Sequence, residues 1–362
     1  MSDEAAVPTD RRRFLAAAGL GVVAACARAA QAAPPRPAAA PLPVAGLPML
    51  KPPRLRVGDT VGLIAPANAT FLEVDLELAR ETLEALSLRV KVGAHVRDRY
   101  GYLAGRDADR AADVNALFAD RDVQAVLALR GGWGSARLLP HLDYAAIRRH
   151  PKVLMGYSDV TALLSAVHAR TGLVTFHGPV GISTWTPFSV EHMAAVLFEA
   201  EAPTLANPVE LREGLVQVED RIQVVTPGRA RGRLFGGNLT VLSAMVGSPY
   251  VPDLDGAILF LEDTGEQVYR MDRMLTHLKL AGLLSRLKGL VFGRCTDCKP
   301  GEGYGALTLD EVLDDHVKPL GVPAFRGSMI GHIDRQFTLP VGLPVEIDAE
   351  AGTIRLLEPA VV

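Results

Sequence analysis

Residues 152–167, KVLMGYSDVTALLSAV, compress a short apolar run, a Gly-Tyr-Ser-Asp turn and a helix-spaced apolar face into one unit. Val153, Leu154 and Met155 read as a buried strand, and Val160, Leu163, Leu164 and Val167 recur at i, i+3, i+4 and i+7, one face of a helix. Further apolar strand segments lie upstream. TVGLIAP (60–66) is a strand followed by Leu76, Ala79, Leu83 and Leu86 at helical spacing, and VQAVLAL (123–129) is a strand that runs into RGGWGS. Strands alternating with helices predict a parallel sheet with helices on both faces. In such sheets functional groups collect at the carboxyl ends of the strands, where the RGGWG loop and the GYSD turn both fall.

This α/β pattern predicts an N-terminal domain over 54–185. Periodicity weakens between about Trp185 and Arg231, where Pro187, Pro203, Pro208 and Pro227 interrupt it, so 186–230 reads as an interdomain connection. A second, smaller mixed α/β domain over 231–362 begins with GRLFGGNLTVL. It contains the strand AILFLE (257–262), a helix with Met271, Met274, Leu275 and Leu278 on one face, the strand LKGLVFG, and a closing pair around PVEID and TIRLLEP. With 362 residues, 49% of them hydrophobic, the chain is long enough for two cores.

The first fifty residues follow a different logic. Arg11 to Arg13, an apolar stretch from Phe14 to Ala25 and Ala30-Gln31-Ala32 give the basic, apolar and small-residue regions of an export signal over 1–32. The apolar stretch is short for a membrane span. Paired arginines before Phe-Leu resemble a twin-arginine signal, with Asp10 where that pattern usually has Ser or Thr. Val23-Ala24-Ala25-Cys26 resembles a lipobox, so lipid anchoring at Cys26 competes with cleavage after Ala32. Both readings predict an exported, periplasmic protein. Residues 33–53, rich in Pro and Ala, read as an extended tether.

A serine hydroxyl becomes a useful nucleophile at neutral pH only with an adjacent base, a group orienting that base, and donors for the oxyanion. A sharp strand-to-helix turn holds Oγ clear of the sheet and presents backbone N–H groups, which suits Ser158. Gly156 and Ser158 fit half of a G-x-S-x-G elbow, with Val160 at the second glycine position. A helix N-cap is the competing role for such a serine. In RGGWG, Gly131 and Gly132 let backbone approach a ligand and donate N–H groups. Glu262 ends an apolar strand, where a carboxylate is costly unless paired. His332, in GSMIGHIDRQFTLPVG, lies in a Gly-flanked loop suited to reaching across a cleft, with His177 in TFHGP in reserve.

In this order, GYSD, RGGWG, GGNLTVL, LEDTGE and GHIDRQFTLPVG resemble the LD-carboxypeptidase family of serine peptidases, over nearly all of 55–350. The resemblance implies a flavodoxin-like or class I amidotransferase-like N-terminal domain that carries the nucleophile and a C-terminal domain that carries the other two members of a Ser-Glu-His triad. By motif, Ser158 is the nucleophile, His332 the base and then acid, and Glu262 the residue orienting His332. Gly132 and Asp159 supply oxyanion N–H groups, and Gly131 and Trp133 face substrate, with Trp133 where relatives often have Tyr. The implied reaction removes the terminal D-alanine of a peptidoglycan tetrapeptide, with neither metal nor cofactor. Alternatives are another amide substrate, such as a peptidyl-nucleotide antibiotic, or a non-catalytic muropeptide-binding protein. Family members commonly form homodimers. An exopeptidase must also hold the free carboxylate, for which Arg130, Arg294 and Arg335 all lie near motifs.

A formal charge of −3 with a pI near 6.3 offers no basic surface for a phosphate backbone, which argues against nucleic acid as a partner. Cys295 and Cys298 lack the further ligands of a structural zinc site; in an oxidising compartment they read as a small-loop disulfide or as two buried thiols.

Overall fold

Short, almost wholly apolar segments pair side by side to form the first sheet. In the computed structural model, which describes residues 47–210, 215–301 and 305–362, these are β1 (Thr60–Ile64), β2 (Arg89–Val92), β3 (Ala125–Ala128), β4 (Val153–Gly156) and β5 (Thr175–His177). They run parallel in the order β2-β1-β3-β4-β5. Every residue of β3 and β4 is buried, the pattern of central strands covered on both faces, while edge strand β2 alternates exposed and half-buried. Helices α1 (Glu73–Ala85), α2 (Asp107–Ala119), α3 (Tyr144–Arg149) and α4 (Thr161–Thr171) connect the strands. The strand order reverses between β1 and β3, so a crevice is expected beyond their carboxyl ends.

Three features depart from the sequence reading. Pro187 begins a helix instead of interrupting one: α5 (Pro187–Leu197) has Thr186 as N-cap, accepting from Ser189 N at 3.2 Å, and proline at the start of a helix sacrifices only an N–H that has no intrahelical partner. Met193, Val196 and Leu197 of this helix are buried, and Leu55 N donates to Leu197 O at 2.8 Å, so the first lobe runs past residue 185. The tether also ends early. Leu50 N donates to Gly172 O and Val174 N to Leu50 O, each at 2.8 Å, and Val362 N donates to Pro52 O at 3.0 Å, so 47–53 pack against both the first lobe and the chain's end. The export signal, Cys26 and the tether up to residue 46 lie outside the described residues.

The 186–230 segment also supplies strands to the second sheet. That sheet has eight strands among the described residues: β6 (Thr204–Ala206), β7 (Gln223–Thr226), β8 (Arg229–Asn238), β9 (Ile258–Thr264), β10 (Gly289–Thr296), β11 (Ala324–Arg326), β13 (Pro344–Asp348) and β14 (Thr353–Leu356). Their order is β6-β14-β13-β8-β9-β10-β11-β7, with the four central strands β8 to β11 parallel and the flanking strands antiparallel. Helices α6 (Leu239–Met245), α7 (Val268–Leu280) and α8 (Leu309–Val317) serve the second lobe. The remaining strand, β12 (Leu339–Val341), crosses back and pairs antiparallel with β5, completing the first sheet at its edge.

This return stitches two α/β domains into one compact unit. Helix α4 packs against both α6 and β8, which explains why it is buried almost all round and not only on the face that its periodicity predicts. No helix among the described residues is long and apolar enough to cross a membrane.

Candidate active site

Ser158 follows β4 at the carboxyl edge of the first sheet and opens a short 3-10 turn, Ser158–Val160, that leads into α4. Its φ is +62°, a left-handed conformation that costs a non-glycine residue about 1–2 kcal/mol and projects the side chain out of the sheet. Gly156 is required beneath it: a Cβ there would lie 2.8 Å from Val160 Cγ1, so Val160 occupies the space that a longer residue at 156 would need. The hydroxyl serves neither the turn nor α4 as a cap. Ser158 Oγ lies 2.9 Å from His332 Nε2.

His332 comes from the other lobe, on the loop between β11 and β12. Its Nδ1 lies 2.8 Å from Glu262 Oε2, near the end of β9. Glu262 is wholly buried and its second oxygen has no hydrogen-bond partner, so the imidazole is its principal compensation. The carboxylate sets the tautomer: Nδ1–H donates to Glu262, which leaves the Nε2 lone pair to accept from the serine hydroxyl. Gly331, with φ +123°, permits this approach, since a Cβ would stand 3.0 Å from Glu262 Oε2. Two further bonds pin the loop: Arg294 N donates to Ile330 O at 2.9 Å, and Thr296 Oγ1 donates to His332 O at 2.9 Å. The Tyr157 ring packs edge-on against the imidazole at 4.9 Å between centroids.

The glycine loop after β3 lies directly against the serine. A Cβ on Gly131 would meet Ser158 Oγ at 3.2 Å, and one on Gly132, whose φ is +123°, would meet Asn68 Cγ at 2.3 Å. Asn68 Oδ1 accepts from Trp133 N at 3.0 Å, holding the loop in place. Neither Gly132 N nor Asp159 N donates to any group among the described residues, so both remain available to an oxyanion. The Asp159 carboxylate is engaged elsewhere: it accepts from Ser135 N at 2.7 Å and braces the two loops against each other. Trp133 is 53% exposed and meets Tyr102 edge-on at 5.9 Å.

The other candidates separate. His177 is buried between Tyr157 and Phe260, neither ring nitrogen has a partner, and burial pushes its pKa down to about 4; it is a neutral packing residue outside the hydrogen-bonded chain. Cys295 and Cys298 form a disulfide. Arg294 and Arg335 share Asp220, at 2.5 and 2.6 Å, and Arg335 also pairs with Glu210 at 2.5 Å. Asn68 and Thr296 were not expected. Each acts by one bond to a residue 65 or 36 positions away, a spacing that carries no periodic signal.

The arrangement combines a strained serine, an imidazole in the accepting tautomer, a buried carboxylate and two free amides, the requirements of nucleophilic acyl transfer. Comparison with known proteins agrees with this chemistry. Residues 61–178 match the LD-carboxypeptidase N-terminal domain and residues 231–347 the LD-carboxypeptidase C-terminal domain. A probable murein peptide carboxypeptidase of Bacillus subtilis is 39% identical over 84% of this chain and 93% of its own. Among solved structures, the microcin C7 self-immunity protein MccF of Escherichia coli superposes with a TM-score of 0.78 at 26% identity, covering 86% of this chain and all of that one. A muramoyltetrapeptide carboxypeptidase from Oxalobacter formigenes gives 0.71 at 29% identity, covering 82% and 97%. The chain belongs to the LD-carboxypeptidase family, as a carboxypeptidase-type serine hydrolase acting on a peptide or amide substrate.

Proposed function

We propose that this protein removes the terminal D-alanine from murein tetrapeptides, with Ser158, His332 and Glu262 as its catalytic triad. The observation that carries the chemistry is the pair of hydrogen bonds, 2.9 and 2.8 Å, joining the three residues across the two lobes. The substrate rests on the 39% identity to the probable murein peptide carboxypeptidase of Bacillus subtilis. Ser158 Oγ attacks the carbonyl before the terminal residue while its proton passes to His332 Nε2. The new C–O bond leaves a tetrahedral oxyanion, which the N–H groups of Gly132 and Asp159 receive. His332 then gives the proton to the leaving amine as the C–N bond breaks. Water, deprotonated by the same imidazole, cleaves the acyl-enzyme to a free acid and restores Ser158. Glu262 holds the tautomer throughout and balances the imidazolium.

Mass spectrometry of a muramoyl tetrapeptide incubated with the protein tests this reading. Loss of one alanine is expected with wild type. Ser158→Ala should lower the rate by ~10⁴-fold or more, and Glu262→Gln, which leaves shape intact but removes the tautomer constraint, by ~10³–10⁴-fold. Undiminished release by Ser158→Ala would overturn the assignment.

The solved structures lean toward a second reading, hydrolysis of a peptidyl-nucleotide amide, because the MccF overlap exceeds that with the muramoyltetrapeptide carboxypeptidase, 0.78 against 0.71. MccF has been solved with aspartyl sulfamoyl adenosine. Saturable binding of that compound to the Ser158→Ala protein, with no alanine released from the tetrapeptide by wild type, would decide for this reading.

Murein lies outside the cytoplasm, and the leader at 1–32 supports export. Fractionation of cells expressing the full chain should recover activity from the periplasm, and substituting Arg11 to Arg13 with lysine should retain it inside; equal distribution of both forms would remove the export proposal.

A further inference from the structure

We propose that Arg130 is the residue that receives the free carboxylate of the substrate's terminal amino acid, an inference that rests on the exopeptidase reading above. Arg130 stands just past the end of β3 and immediately precedes Gly131, whose Cβ position would be 3.2 Å from Ser158 Oγ. It is half-buried. Its Nε is buried without a hydrogen-bond partner, and its one contact through Nη1 is a long 3.5 Å approach to Ala69 O. No carboxylate pairs with it among the described residues. The two other arginines near the motifs are already committed, Arg294 to Asp220 and Arg335 to Asp220 and Glu210.

A guanidinium offers its two Nη groups as a planar fork that matches a carboxylate in two parallel hydrogen bonds. Arg130 Nε is shielded inside the fold, so the Nη edge, held only by the long contact to Ala69 O, is the side that would meet a carboxylate. A carboxylate held here would fix the chain end, so that cleavage removes one residue and no more.

The test compares a tetrapeptide bearing a free C-terminal D-alanine with the same peptide as its C-terminal amide. Binding is measured by calorimetry on the Ser158→Ala protein, which prevents turnover, and on the same protein carrying Arg130→Gln or Arg130→Lys. The free acid should bind ~10- to 100-fold more tightly than the amide when Arg130 is present, the worth of a charge-assisted pair. The preference should fall to about one with Arg130→Gln and survive in part with Arg130→Lys, whose retained charge also guards against misfolding as the cause. An acid preference unchanged by Arg130→Gln, or absent from the Arg130 protein, would overturn the proposal. Alanine release by wild type is scored separately: an acid preference that depends on Arg130 without alanine release would condemn the murein reading and leave Arg130 standing.

Discussion

Among single residues, burial and pairing decide which histidine is placed to act as a base. His332 is held between a carboxylate and a hydroxyl, whereas His177 and His168 are buried as neutral rings and both have their pKa pushed down to about 4, burial being the largest cause. An unfolded chain protonates histidine near pH 6.5, while these two stay neutral in the fold until about pH 4. Over that interval the unfolded state binds more protons, so stability falls as pH drops from 6.5 toward 4, by up to about 3 kcal/mol for each ring. Thermal unfolding at pH 7.5 and 4.5 should show a smaller acid loss for His177→Leu than for wild type; equal losses would show that His177 does not titrate in this way. The sequence setting of His177, in TFHGP, resembles that of a functional loop. What disqualifies it is the apolar packing of Tyr157 and Phe260, from elements about 20 and 80 positions away.

Strand ends carry the site, and one element fastens two of its parts. The last residues of β10 pair with β9 through Cys295 opposite Asp263 and Thr296 opposite Thr264, just beyond Glu262. Thr296 Oγ1 also holds the carbonyl of His332 at 2.9 Å, and the Cys295–Cys298 disulfide closes the turn around Thr296. Opening this turn should loosen His332 relative to Glu262. Cys295→Ser/Cys298→Ser, or wild type treated with a dithiol, should lose ~10-fold in kcat with KM little changed, as expected when a catalytic group drifts without disturbing ground-state binding. Unaltered kcat would make the disulfide a purely local clasp. At this scale the sequence was most legible where an element obeys one period: β1, β3, β4, β9, α1 and α7 all fall where their apolar patterns place them. It misled at Pro187, where an N-terminal proline after a threonine cap marks a helix start within a stretch read as a connection.

Across the whole molecule, catalysis requires that the lobes stay in register. Thr161 Oγ1, at the start of the serine-bearing helix, accepts from Asn238 N at 3.0 Å at the end of β8; Asn238 Nδ2 in turn donates to buried Asp263 at 3.0 Å, beside Glu262. Gly237 makes this approach feasible, because a Cβ there would lie 2.4 Å from Thr161 Oγ1. With β12 returning to the first sheet, these contacts set the distance between serine and imidazole. By itself the sequence determined the alternation of strands and helices, the glycine loop and the strand-to-helix elbow, because local periodicity and steric demand are written in neighbouring positions, whereas Ser158, Glu262 and His332 were brought together only by the order of the family's motifs. Only the tertiary structure decided that Ser158 caps nothing and faces His332, that Asn68 holds the glycine loop, and that of the three arginines near the motifs Arg130 alone has no carboxylate partner among the described residues. Those outcomes depend on which distant groups are brought together and which charges are already neutralised, and neither property has a period along the chain.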